Sequence, residues 1–142
     1  MGLMVIVQRD RGESLRYAKW LNRLGHSSVF CGGPLPPVYE CRFKRQGECV
    51  LWESGVLFVY HPWLDRDRRE SNSDELVLAL RGHYPVKPLI LVGPEPAPPA
   101  WVERLARQDR LVRAVFPATP KALLAAATEL LTEASPGAAV PT

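Results

Sequence analysis

The sequence predicts an α/β domain built on a parallel sheet, and three observations carry the prediction. Four strand-length runs rich in β-branched and aromatic residues recur along the chain, Leu3 to Val7, Ser28 to Cys31, Val56 to Tyr60 and Leu89 to Val92, with a weaker fifth at Val112 to Phe116. These runs are apolar throughout rather than alternating, the pattern of strands covered by helices on both faces. Segments of helical period stand between most of them, and parallel strands need such crossovers.

Each element has a local reason. Asp10 with Glu13 three residues later reads as a capping box for a helix through Leu24, and Gly25 ends it. On that helix Tyr17, Ala18, Leu21 and Leu24 share one face, while Arg16, Lys19 and Arg23 point away. After the second run, Gly32-Gly33-Pro34 and Pro36-Pro37 forbid a long helix. There Tyr39, Cys41 and Phe43 alternate, and Gln46-Gly47 is placed to turn them back on Glu48 to Trp52 as a short hairpin. A long Cys-containing loop or hairpin from Gly32 to Ser54 is therefore expected where the second helix of the rhythm would stand, and connections of that length are commonly functional or disordered.

Ser73 with Asp74 and Glu75 starts the next helix, which reads through Leu76, Leu80 and Arg81 and stops at Gly82-His-Tyr-Pro85. Pro98-Pro99 opens another around Trp101, Val102 and Leu105, and Thr119-Pro120 opens the last, through Leu123, Leu124, Ala127 and Leu131. Residues 1–133 are expected to form one domain and residues 134–142, with their Pro and Gly, a disordered tail. No internal repeat is present.

Composition narrows the function. A chain of 142 residues buries about two thirds of its unfolded surface and needs no metal or disulfide to fold. The net charge of +3 comes from dispersed arginines, with one cluster, Asp65-Arg-Asp-Arg-Arg69, diluted by acids, which argues against nucleic acid as partner. The start Met1-Gly-Leu-Met-Val-Ile-Val lacks a basic flank, and no apolar run has the length of a bilayer span, so a cytoplasmic protein without membrane contact is expected. Three cysteines in that reducing compartment read as free thiols or metal ligands rather than a disulfide framework.

Cys31, Cys41 and Cys49, with His61 as a fourth ligand, have the residue types for zinc or an iron–sulfur cluster, but no Cys-x-x-Cys pair provides a chelating knuckle. Small buried apolar residues are the commoner use of such thiols. A Cys31–His61 nucleophile lacks any recognisable oxyanion hole. Gly32-Gly33-Pro34 runs into proline instead of a phosphate-binding helix start, and Asp10 would repel an anion held by Gln8-Arg9-Asp10-Arg11-Gly12. Trp52, Trp63 and Trp101 stand in or beside loops, where aromatic residues serve the core or a partner surface.

In this order and at this length, the strands and helices from Leu3 to about Leu131 resemble the receiver domain of two-component response regulators. The resemblance implies a flavodoxin-like five-stranded parallel sheet of order 2-1-3-4-5, with a site at the carboxyl ends of strands one and three. It also locates four departures. Gln8-Arg9 stand where receivers carry an acidic pair for magnesium, leaving Asp10 as the nearby acid. Tyr60 aligns with the phospho-accepting aspartate and is followed by His61. Gly93-Pro94 replace the threonine or serine expected after strand four, and Phe116, before Pro117, replaces the lysine after strand five. The expectation is a pseudo-receiver: a non-catalytic regulatory or protein-interaction domain, without cofactor, working through a protein partner. By the same analogy a homodimer would use the last helix-strand-helix face, near Trp101, Arg104, Val112 and Lys121. The alternatives are a metal- or redox-responsive protein using the cysteine loop, and a small enzyme with a pocket at Gln8, Asp10, Tyr60 and His61.

Overall fold

The computed structural model describes residues 2–7, 11–31, 47, 49–62 and 73–134, the first three of the last stretch by their backbone alone. Strands β1 (Leu3–Val7), β2 (Ser27–Cys31), β3 (Gly55–Tyr60), β4 (Leu89–Val92) and β5 (Val112–Val115) form one sheet of order β2-β1-β3-β4-β5. Every pair is parallel, with Val5 opposite Val29 and Phe58, and Ile90 opposite Val59 and Arg113. This is the flavodoxin-like order that the receiver resemblance implies. The register of β3 slips by one residue between Leu3 and Met4, so β1 and β3 share an irregularity at Val56.

Among the described residues the strands are accompanied by helices α1 (Arg11–Leu21), α2 (Val50–Ser54), α3 (Ser73–His83), α4 (Ala100–Gln108) and α5 (Pro120–Glu133). Because strand side chains alternate between faces, the sheet divides the core into two apolar layers. Val5, Val7, Phe58, Tyr60, Leu89, Leu91 and Val112 pack with Trp52 of α2, Leu76, Val77 and Leu80 of α3, and Val102 of α4. Met4, Ile6, Leu57, Val59, Ile90, Val92 and Val115 pack with Tyr17 and Leu21 of α1 and Leu123, Ala127 and Leu130 of α5. Central strands buried on both sides explain why their sequences carry no polar alternation.

Helix ends follow local chemistry. Helix α1 tightens into a 3-10 turn over Asn22–Leu24, and Gly25 stops it at φ +77°, donating its N–H to the Asn22 carbonyl at 3.2 Å. Asp10, the other half of the predicted capping box, lies outside the described residues; Glu13 accepts from Arg16 and, at 2.7 Å, from the Tyr17 hydroxyl. The Ser73-Asp74-Glu75 side chains that were to start α3 are likewise outside what is described. Helix α3 ends at His83, within the predicted stop Gly82-His-Tyr-Pro85. Thr119 Oγ1 accepts the Ala122 N–H at 3.2 Å, with Pro120 in the first turn of α5. Residues 135–142 of the predicted tail lie outside the described residues, and Ala134 closes α5 by donating its N–H to Leu130.

One expectation is corrected. Residues 50–54 form α2 rather than the return strand of a hairpin, while Tyr39, Cys41 and Phe43 of the other arm lie outside the described residues. Burial decides it. In a helix Trp52 reaches the core, 4% exposed, and stacks on Phe58 at 3.8 Å between ring centroids with 6° between planes, an arrangement worth about 1 kcal/mol beyond area burial. Cys49 anchors the helix start by donating its N–H to the Tyr84 hydroxyl at 2.9 Å. At the other end Lys87 Nζ donates to the carbonyls of Glu53 (2.8 Å) and Gly55 (2.9 Å), which the helix leaves unsatisfied. Gly55 makes the join possible, because a Cβ there would sit 2.9 Å from the Leu51 carbonyl and 2.5 Å from Phe58 Cζ.

Arg81 is the one charged side chain buried among the described residues, at 6% exposure. Its guanidinium meets Asp109 Oδ2 through both Nε and Nη2 at 2.9 Å, and donates to the carbonyls of Tyr84 (3.1 Å), Pro85 (2.8 Å) and Lys87. This fastens the end of α3 and the turn into β4 to the turn between α4 and β5. Among the described residues no helix is long and apolar enough to cross a membrane.

Candidate functional site

A parallel sheet covered on both faces is open where its strands end, and the crevice lies where the strand order reverses, here between β1 and β3. Backbone bonds fix this edge. The His61 N–H donates to the Val7 carbonyl at 2.9 Å, holding the end of β3 against β1. Gly93 donates to Val115 at 3.4 Å and accepts from Ala118 at 2.8 Å, tying the end of β4 to the segment after β5. Phe116 lies just beyond β5, which ends one residue before the predicted Phe116, and the Phe116–Pro117 peptide is cis.

Of the residues singled out in the sequence, Tyr60, His61, Gly93 and Phe116 gather at this edge. Tyr60 is 1% exposed and belongs to the apolar layer under α2 and α3. A Cβ on Gly93 would fall 2.7 Å from Phe116 Cε2 and 3.0 Å from His61 Cδ2, and would also meet Glu95 Oε1. Gly93 is therefore walled by three side chains, and no larger residue fits without moving two rings.

Gln8, Arg9 and Asp10 lie outside the described residues, as do Cys41, Trp63 and the Gly32-Gly33-Pro34 turn. Cys31, opposite Val7 at the end of β2, and Cys49, before α2, are both half-buried against the same apolar layer. Among the described residues no group of three or more His, Cys, Asp or Glu is placed to hold a metal ion.

Glu95 is the site residue that sequence reasoning missed. Its Oε2 lies 3.5 Å from His61 Nε2, and the His61 side chain is 16% exposed. Among the described residues neither ring nitrogen of His61 nor Oε1 of Glu95 has a hydrogen-bond partner, although all three atoms are buried. The signal was present as Gly93-Pro94-Glu95-Pro96, an acid between two prolines directly after a buried strand end.

The charge of Glu95 is felt on α1 as well. Burial first, then the hydrogen bond to Glu13 and the charges of Glu13 and Glu95, hold the Tyr17 phenol well above the ordinary tyrosine range. The edge thus combines an imidazole and a carboxylate with an apolar wall of Tyr60 and Phe116. One carboxylate beside one imidazole falls short of the several hard oxygens that magnesium requires.

No family model matches the sequence. Solved structures do match its fold. A CheY-like response regulator receiver domain from Methanospirillum hungatei superposes with a TM-score of 0.66 at 16% identity, over 94% of this chain and 96% of its own. The signal receiver domain of a putative Luxo repressor protein from Vibrio parahaemolyticus gives 0.65 at 11% identity, covering 99% and 98%. A putative pilus assembly protein, CpaE, from Burkholderia thailandensis gives 0.60 at 18% identity, covering 93% and 99%. Together with the observed strand order, these likenesses give the chain the fold of a response-regulator receiver domain.

Proposed function

We propose that this chain is a receiver-like regulatory domain that works by binding a protein partner and does not undergo aspartyl phosphorylation. One observation carries the reading: of the positions that, by analogy with receivers, would take up a phosphoryl group, those among the described residues are Tyr60, Gly93 and Phe116, and none brings a carboxylate or a cation. Tyr60, with a neutral phenol, stands in place of a carboxylate and is buried at 1% exposure. Gly93 lacks the space for a hydroxyl-bearing side chain, since Phe116 and His61 already fill it. Phe116 brings no cation to offset a bound phosphoryl charge. A phosphoryl transition state needs metal and cationic groups aimed at its oxygens, and His61 with Glu95 supplies neither in number.

In this reading the domain is non-enzymatic, carries no cofactor and acts in the cytoplasm. Its test is direct. Acetyl phosphate or beryllofluoride with magnesium is added while the amide spectrum and the oligomeric state are followed, and both are expected to stay unchanged. A magnesium-dependent shift in either overturns the reading. A thiol-based alternative draws on Cys31 and Cys49 lying against one apolar layer; bound zinc or iron in protein purified without oxygen would favour it.

A further inference from the structure

Between α1, with the turn that follows it, and the first turns of α5 runs an open groove of about 700 Å³. Half-buried Trp20 and Leu124 line it together with exposed Pro120, and exposed Lys19, Arg23 and Lys121 stand among them. No acid lines it. Among the described residues none of these three cations has an ion-pair partner, whereas Arg110 and Arg113 near the end of α5 are already paired with Glu133, and Arg113 also with Glu129.

We infer that this groove docks an acidic amphipathic helix of a partner protein. The inference rests on the interaction-module reading above and names the partner's chemistry. Two features select such an occupant. The apolar strip bounded by two helices suits side chains repeating at i, i+3 or i+4, and i+7 along a third helix, the helix-in-groove mode of recognition. Lys19 stands on α1, Arg23 in the 3-10 turn that follows it and Lys121 in the first turn of α5, so carboxylates on the flanks of that helix meet cations on both walls. Tryptophan among flanking charges is also the residue type that most often anchors an interface.

The experiment pans a phage library of random peptides of about 16 residues, some four helical turns, against the full chain. Enriched sequences are expected to be acidic with apolar residues at helical spacing. A synthesised winner should bind the Lys19→Glu/Arg23→Glu/Lys121→Glu variant at least about tenfold more weakly, since like charges then face each other. All three positions are exposed, and an unchanged circular dichroism spectrum establishes that the variant is folded. Leu124→Ala should weaken binding as well, separating apolar docking from charge alone.

Winners that are neutral or basic, or that ignore the charge reversal, overturn the groove while leaving an interaction domain that uses another face. No enrichment at all removes both the groove and the support for partner binding. Equal displacement of the peptide by a single-stranded oligonucleotide or by anionic vesicles also overturns it, by marking a generic polyanion site. A magnesium-dependent response to beryllofluoride, by contrast, sinks the phosphorylation-free reading without bearing on the groove.

Discussion

Replacing Arg81 by Met keeps most of the side chain's volume and removes its charge and its hydrogen bonds. Three carbonyls, of Tyr84, Pro85 and Lys87, lose a charged donor, although Tyr84 keeps the Lys87 N–H at 3.2 Å. Asp109 loses the guanidinium and keeps the Leu111 N–H at 3.0 Å, with its side chain 25% exposed and so partly hydrated. Taking somewhat under 1 kcal/mol net for each carbonyl and about 1 kcal/mol for the partly screened carboxylate, the substitution should cost about 3 kcal/mol. For a chain of this size that is a fall in Tm of about 10 °C. Urea unfolding of the parent, Arg81→Met, Asp109→Asn and the double variant measures both the loss and the coupling. If the pair is the source, Arg81→Met in the Asp109→Asn background should cost at least about 1 kcal/mol less than in the parent. A single-variant loss below about 1 kcal/mol, the range of an exposed ion pair, would refute the argument.

Two further outcomes are expected. Gly93→Ala should destabilise by about 1 to 3 kcal/mol, because the added methyl drives into Phe116 and His61, and chemical denaturation would read it; an unchanged midpoint would mean that the wall around Gly93 yields freely. Because the Tyr17 pKa is raised in the folded state, the unfolded chain loses its phenolic proton first, and stability should fall as pH rises above about 10, by up to about 1.4 kcal/mol per unit. Tyr17→Phe should flatten that slope in urea titrations between neutral and alkaline pH, and an identical slope in parent and variant would count against the assignment.

The sheet was legible because its strands are buried on both faces. Runs such as Val56 to Tyr60 and Leu89 to Val92 leave little choice but a covered parallel arrangement, and Gly25 and Thr119 mark helix ends by local rules. The segment before β3 misled because alternation and a Gly turn favour a hairpin locally, while Trp52 finds its burial only against Phe58 and Tyr84, neighbours that β3 and the end of α3 bring from elsewhere. At the site, strand ends could be placed from position alone, which located Tyr60, His61, Gly93 and Phe116. Glu95 was missed because spacing along the chain does not show that the turn after β4 meets His61 after β3; the pairing of the two strands brings them together.

The direct join of α2 to β3 has a consequence for how such a chain can diversify. Cys31 closes β2 and Cys49 is fastened to Tyr84, so the stretch between them begins and ends at points the core has already fixed. Because Gly55 follows Ser54 without a linker, a one-residue slip across that join would shift β3 against β1 and turn its apolar side chains to the other face of the sheet. Changes of length are therefore excluded between Val50 and Tyr60, where each added residue would also carry Trp52 off Phe58.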